Sequence, residues 1–229
     1  MIIPVFDVKD GHFVCGKSGK RDTYCKLGSV YGDSPLDIAV NLMNDGARYV
    51  YIADLDRIEG VGDNSSFISE INSIVPVLLD NGANCVDDIV SNRDICTYSI
   101  LATESMTNID DAYAVFDELP FETVIVSVDI KDNELLTGNK DIRLDDVISM
   151  INTVKPAYTI VLNISRVGTG NGNVDVIVRD IIDSTPYTQH IVAGGLTNES
   201  IRDYKDKGID NFLVGSILHD GTLLDEYKW

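Results

Sequence analysis

Eight short apolar runs, a helically spaced segment after most of them, and the absence of any Pro/Ser-rich linker predict a (β/α)8 TIM barrel, in one domain spanning residues 1–229. The runs are "MIIPVFD", "YVYIADL", "ANCVD", "YSILAT", "TVIVSVD", "YTIVLN", "HIVAGG" and "NFLVGS". They are nearly continuous in apolar residues, as strands covered on both faces are. Apolar residues at helical spacing place helices over 35–43, 67–75, 112–119, 144–154 and 174–182. Ser34 before Pro35 and Asp45-Gly46 bound the first helix, while Asn198 and Gly208 bound the one at "ESIRDYKDK". A doubly wound open sheet is the alternative arrangement of the same units.

Four pairs of segments match in the same order along the chain. "FDVKDGHFV" (6–14) pairs with "VDIKDNELL" (128–136), and "DLDRIEGVGDN" (54–64) with "NISRVGTGNGN" (163–173). "CVDDIVSNRD" (85–94) pairs with "IVAGGLTNES" (191–200), and "ILATES" (100–105) with "LVGSIL" (213–218). One match is easily accidental, but four in order predict two duplicated (β/α)4 halves, about 1–119 and 120–229. In the third pair Asp88 and Ile89 stand where the second copy has Gly194 and Gly195.

Basic residues number 18 against 37 acidic ones, a formal charge of −19 that repels polyanions, so nucleic acid is excluded as a partner. No apolar run approaches the length of a membrane span, so no membrane partner is expected. The N-terminus lacks an export signal, which predicts a cytoplasmic protein. Four cysteines, Cys15, Cys25, Cys85 and Cys96, show neither CxxC nor Cys/His ligand spacing. No metal and no cofactor is implied.

In a barrel the reacting groups stand at the C-terminal ends of strands, which directs Asp7, Asp54, Asp87 and Asp129 toward one mouth. Asp7 and Asp129 repeat with the internal symmetry and form the candidate acid/base pair; each aspartate read alone is equally a loop or helix cap. Asp10 and Asp132 are turn residues. Gly194-Gly195 before a helix and Gly215-Ser216 at the next strand are a candidate phosphate site, because glycine lets backbone amides approach an anion. "GKSGKRD" (16–22) gathers Lys17, Lys20 and Arg21 where they can close over an anionic substrate or simply solubilise a loop. "SRVGTGNG" (165–172), with Gly168 and Thr169, is a substrate-facing loop that matches neither a P-loop nor a dinucleotide fingerprint. His12, His190 and His219 have no nucleophile partner and are assigned no catalytic role.

The "IIPVFDVKDG" opening (2–11), "AGG" (193–195) and "VGS" (214–216), set in a duplicated half-barrel, resemble the histidine-biosynthesis barrels. That family comprises phosphoribosylformimino-aminoimidazole carboxamide ribotide (ProFAR) isomerase and the cyclase subunit of imidazole glycerol phosphate synthase. The likeness spans nearly the whole chain and is nearest to an archaeal group related to the isomerase. It implies an aldose-to-ketose (Amadori) isomerisation by Asp7 and Asp129 on a small phosphorylated metabolite, with phosphate at Gly194, Gly195, Gly215 and Ser216. Asn163 falls where the isomerase has a catalytic-site threonine, and nothing in "SRVGTG" matches its second aspartate. Cys15 replaces the cyclase lysine, which points away from cyclase chemistry. The isomerase substrate carries a phosphate at each end, whereas Asp88 and Ile89 replace the first-half glycines; a singly phosphorylated substrate is therefore expected. A synthase or lyase acting on a monophosphate, and a non-catalytic phosphate-binding barrel, are the rival readings.

Overall fold

β-Branched and apolar residues fill eight parallel strands that close into a ring in this computed structural model, which describes residues 1–15, 24–119, 123–169 and 176–229. The first half of the chain contains β1 (Ile2–Lys9), β2 (His12–Cys15), β3 (Cys25–Lys26), α1 (Pro35–Asp45), β4 (Val50–Asp54), α2 (Leu55–Ile58), α3 (Ser65–Asn72), β5 (Val77–Asp80), α4 (Val86–Ser91), β6 (Tyr98–Ala102) and α5 (Ile109–Glu118). The second contains β7 (Val124–Lys131), β8 (Glu134–Leu135), α6 (Leu144–Val154), β9 (Tyr158–Asn163), α7 (Val176–Ser184), β10 (Gln189–Ala193), α8 (Asn198–Lys205), β11 (Asn211–Val214) and α9 (Ser216–His219). The ring runs β1-β4-β5-β6-β7-β9-β10-β11 and closes where Ile2, Ile3 and Pro4 pair with Phe212, Leu213 and Val214. The chain is thus a (β/α)8 TIM barrel.

Alternation along each strand divides the core in two. Ile3, Tyr51, Leu78, Ile100, Ile125 and Ile160 fill the barrel interior, while Phe6, Val8, Ile52, Leu79, Val126 and Val161 pack outward under the helices. At roughly 1.5–3 kcal/mol for each such side chain removed from water, these two layers are the main stabilising force.

Local chemistry sets the helix ends. The Ser34 hydroxyl accepts from Asp37 N, Pro35 opens α1, and Gly46 at φ 119° closes it by donating to the Leu42 and Met43 carbonyls. Helix α8 is capped by Thr197, one residue before the expected Asn198.

Two features differ from the sequence expectation. The third barrel strand is β5, at Val77–Asp80, not "ANCVD"; residues 83–85 are loop, and Val86 and Asp87 already belong to α4. Two short hairpins also extend the ring. β1 returns as antiparallel β2 through Asp10 (φ 50°) and Gly11 (φ 71°), and β7 returns as β8 through Asp132 (φ 53°) and Asn133 (φ 64°). Two successive positive φ values make each a type I′ turn, which Asp-Gly and Asp-Asn suit. Asp10 N donates to Asp56 Oδ2 at 2.7 Å and Gly11 N to Asn64 Oδ1 at 2.8 Å; in the second hairpin Asp132 N donates to Ser165 Oγ at 2.8 Å. In both cases the loop after the next barrel strand pins the hairpin tip.

Candidate active site at the barrel mouth

Residues at the C-terminal strand ends enclose two joined cavities. One, of about 260 Å³, is lined by Asp7, Tyr51, Asp80, Glu104, Asp129 and Lys131, among others. The other, of about 140 Å³, is lined by Gly168, Gly194, Gly195, Gly215 and Ser216. Asp7, Tyr51, Leu162 and Val167 border both, so a ligand can span from the glycines to the carboxyl groups. β1 and β7 stand four places apart in a ring of eight, which sets Asp7 and Asp129 on opposite walls.

Asp129 is buried, and both of its oxygens are held. Ser127 Oγ donates to Oδ1 at 2.7 Å, while Glu104 N and Thr103 Oγ1 donate to Oδ2 at 3.0 and 3.3 Å. Burial nevertheless outweighs these donors and pushes its pKa up to about 6. Asp80 ends β5 with its side chain in the same cavity; Tyr51 Oη donates to Oδ2 at 3.1 Å and Gly82 N to Oδ1 at 3.3 Å. Burial first, and the neighbouring Asp129 charge second, push Asp80 up to about 7. The buried Tyr51 phenol is raised for the same two kinds of reason, desolvation and then the charges of Asp80, Asp129 and Asp7.

The glycines answer to the backbone around them. A Cβ on Gly194 would lie 2.3 Å from the Asn163 carbonyl oxygen, and one on Gly195 would lie 2.3 Å from that of Arg166. Both have positive φ, 105° and 62°. The turn after β9 therefore demands glycine at both positions, whatever the ligand. Gly215 differs, because its nearest neighbour to an added Cβ is Val5 Cβ at 3.9 Å, so the missing side chain leaves usable space in the cavity. The first amides of α9, at Ser216 and Ile217, have no acceptor within their helix and border that space.

Several sequence expectations need correction. Asn163 is buried and on the outward side of β9, with its backbone behind Gly194; the inward residue at that level is Leu162. Strand alternation thus removes Asn163 from the cavity. Thr169 is also turned aside: its Oγ1 donates to the Arg166 carbonyl at 2.7 Å, while Gly168 does line the glycine cavity. Asp54 caps α2 and accepts from Asn64 N at 2.8 Å and Nδ2 at 2.7 Å, and Asp87 lies exposed in α4. Arg21, with Lys17 and Lys20, lies outside the described residues. Tyr51, Asp80 and Glu104 are mouth residues that the sequence reading missed. Once "PVLLD" is recognised as the third strand, its terminal aspartate becomes visible.

The same strand shift moves the first-half loop. Counting back from the helix caps, Cys85 for α4 and Thr197 for α8, puts Gly82 opposite Gly194 and Asp88 opposite Ser200. Asp88 and Ile89 therefore do not occupy glycine positions. Gly82 keeps the left-handed conformation at φ 74°. Two of this loop's amides already carry carboxylates of the chain itself: Gly82 N donates to Asp80, and Asn84 N donates to Asp88 Oδ2 at 3.2 Å. Arg57 stands 3.7 Å from the other Asp88 oxygen.

Among the described residues no group of His, Cys, Asp and Glu side chains is arranged to hold a metal ion, and no helix is long and apolar enough to cross a membrane. The histidine biosynthesis protein family matches residues 1–224. An uncharacterized protein of Methanocaldococcus jannaschii is 33% identical, covering 97% of this chain and 94% of its own length. Two relatives are named as isomerases of 1-(5-phosphoribosyl)-5-(5-phosphoribosylaminomethylideneamino)imidazole-4-carboxamide, that is, of ProFAR. The one from Thioalkalivibrio sulfidiphilus is 30% identical over 97% of this chain and 95% of its own length. The one from Saccharolobus solfataricus is 29% identical over 93% of each.

Proposed function

Because the chain belongs to the histidine biosynthesis protein family, we propose that it is a phosphosugar isomerase that converts an aldose-type glycosylamine to the ketose by proton transfers at Asp7 and Asp129. The observation that carries this reading is the joined cavity, with carboxyl groups on opposite walls at one end and an open glycine pocket at the other. An Amadori rearrangement opens the ribose ring with an acid and moves the C2 proton with a base, and opposed carboxyls in one desolvated pocket suit both steps. Gly195, Gly215 and Ser216 would receive the phosphate on backbone amides and a hydroxyl, with Gly168 closing over it. The two halves, about 1–119 and 120–229, descend in this reading from one duplicated unit, which the recurring hairpin supports.

The substrate in this proposal carries a single phosphate. In the first-half loop the Gly82 and Asn84 amides are engaged by Asp80 and Asp88, and a dianion would have to displace both while facing their charge. Crystals soaked in sulfate test this directly. One ordered anion beside Gly195 and Ser216 is expected, and a second at 82–85 would overturn the single-phosphate reading. Turnover of ProFAR as efficient as that of a dedicated isomerase would overturn it as well.

A further inference from the structure

The mouth holds a carboxyl group that the acid/base pair does not use. Asp80 lies on the wall between Asp7 and Asp129, with one strand separating β5 from β7 and one separating it from β1. Two buried carboxyls in one cavity do not both ionise readily, so near neutrality the space favours retention of a proton. Hydrogen bonding decides which of them keeps it. Thr103 Oγ1 accepts from Asp129 N at 2.9 Å, so its only proton points to Asp129 Oδ2. The Glu104 amide can only donate, and Ser127 covers the remaining oxygen. Three donors thus converge on Asp129, and of these only the Ser127 hydroxyl could turn to accept from an acid. Asp80 has two donors instead of three, and its Oδ2 partner is the Tyr51 phenol, which donates to a carboxylate and can turn to accept from a carboxylic acid.

We propose that Asp80, held by Tyr51, is a third catalytic carboxyl of this mouth and supplies the first proton of the reaction, with Asp129 kept as the carboxylate. The inference rests on the isomerase reading above. The raised values of about 7 for Asp80 and about 6 for Asp129 agree with that order. Besides Asp129, the titratable and charged groups facing Asp80 across the cavity are Asp7, Tyr24, Tyr51, Glu104 and Lys131. In the reaction the Asp80 O–H gives its proton to the ring oxygen as the C1–O bond breaks and the nitrogen lone pair forms C=N. A carboxylate of the pair then removes the C2 proton and leaves the enaminol. Loss of the enaminol O–H proton and protonation of C1 complete the ketose, so the site ends with as many protons as it began.

The test separates the proton's location from turnover. In protein labelled at the aspartate carboxyl carbons, NMR titration from pH 5 to 9 should show one buried carboxyl with a midpoint near 7. That signal should be absent in Asp80→Asn and should shift to lower pH in Asp129→Asn. With a singly phosphorylated substrate, an N-substituted 5-phosphoribosylamine, Asp80→Asn should lower kcat on the order of 100-fold or more with KM within a few-fold, and Asp80→Glu should recover part of the loss. An Asp80 already ionised at pH 5, a titration with its midpoint near 7 that survives in Asp80→Asn, or an Asp80→Asn variant as active as wild type would overturn the proposal. Wild-type protein that turns over no N-substituted 5-phosphoribosylamine counts against the parent reading, and the titration then decides Asp80 alone.

Discussion

A carboxyl kept in the mouth for chemistry should weaken the fold, and Asp80→Asn should reveal by how much. Asparagine keeps the shape, its oxygen can still accept from the Gly82 amide and its NH2 can donate to a Tyr51 hydroxyl that turns to accept, but it removes the charge. Burial, with Asp129 adding to it, raises Asp80 from the ordinary 3.8 to about 7. In the unfolded chain Asp80 ionises near 3.8, whereas in the folded chain it holds its proton until about 7. The folded state is therefore favoured below the lower value, loses that advantage steadily as pH rises between the two, and has lost it all above the upper one. At about 1.4 kcal/mol per pH unit the full difference is ~4 kcal/mol, and some of it belongs to the neighbouring carboxylate. The variant should thus match wild type near pH 4 and be ~2–4 kcal/mol more stable at pH 8, a rise in Tm of roughly 5–15 °C for a chain of this size. Urea unfolding at pH 4, 6 and 8 measures it. A stability difference that does not change with pH would refute the argument, because it would place the Asp80 charge in water in both states.

Glycine substitutions should separate the requirements of the fold from those of the ligand: Gly194→Ala meets the Asn163 carbonyl at 2.3 Å and should unfold the protein at lower urea, while Gly215→Ala should leave stability within about 1 kcal/mol and weaken phosphate binding in calorimetry. Asp7→Asn and Asp129→Asn should each lower turnover on the order of 100- to 10,000-fold, measured on whichever phosphorylated glycosylamine the protein accepts. Asn163→Ala, on the outward side of β9, should change kcat only a few-fold.

Most of the fold was legible because barrel strands are buried on both faces and read as unbroken apolar runs. The failure at the third unit is instructive. "PVLLD" follows a helix of similar apolar content, α3, without an intervening glycine, and falls unassigned between the helix expected over 67–75 and "ANCVD", which borrowed the strand from the loop and from α4. One displaced strand carried two errors with it, hiding Asp80 and setting Asp88 against Gly194. The hairpins were missed although Asp10-Gly11 is a strong turn signal, because β2 and β8 span only four and two residues and carry little pattern of their own. At Asn163 the position was right and the direction wrong. A strand end offers two faces, and only the neighbour at Leu162, continuous with the inward Ile160, shows which of them is the mouth.

The corrected register changes the reason for the asymmetry between the halves but not its direction. In both, a residue three places after the helix cap is bound by an amide at the start of the helix: Ser200 Oγ accepts from Thr197 N at 2.9 Å, and Asp88 Oδ2 accepts from Asn84 N at 3.2 Å. Ser200 satisfies its amide without bringing charge, so the α8 end remains open to an anion. Asp88 brings a carboxylate, which favours the positive end of α4 just as an external anion would and so competes for the same place. Nearby, Asp80 takes the Gly82 amide and turns its other oxygen to Tyr51, inside the reaction cavity. The loop that could have bound a second phosphate thus presents a capped helix on its outer side and a proton-bearing carboxyl on its inner side. A substrate suited to this mouth would hold its phosphate by the glycines of β10 and β11 and present an uncharged or amine-bearing end to Asp80 and Asp129.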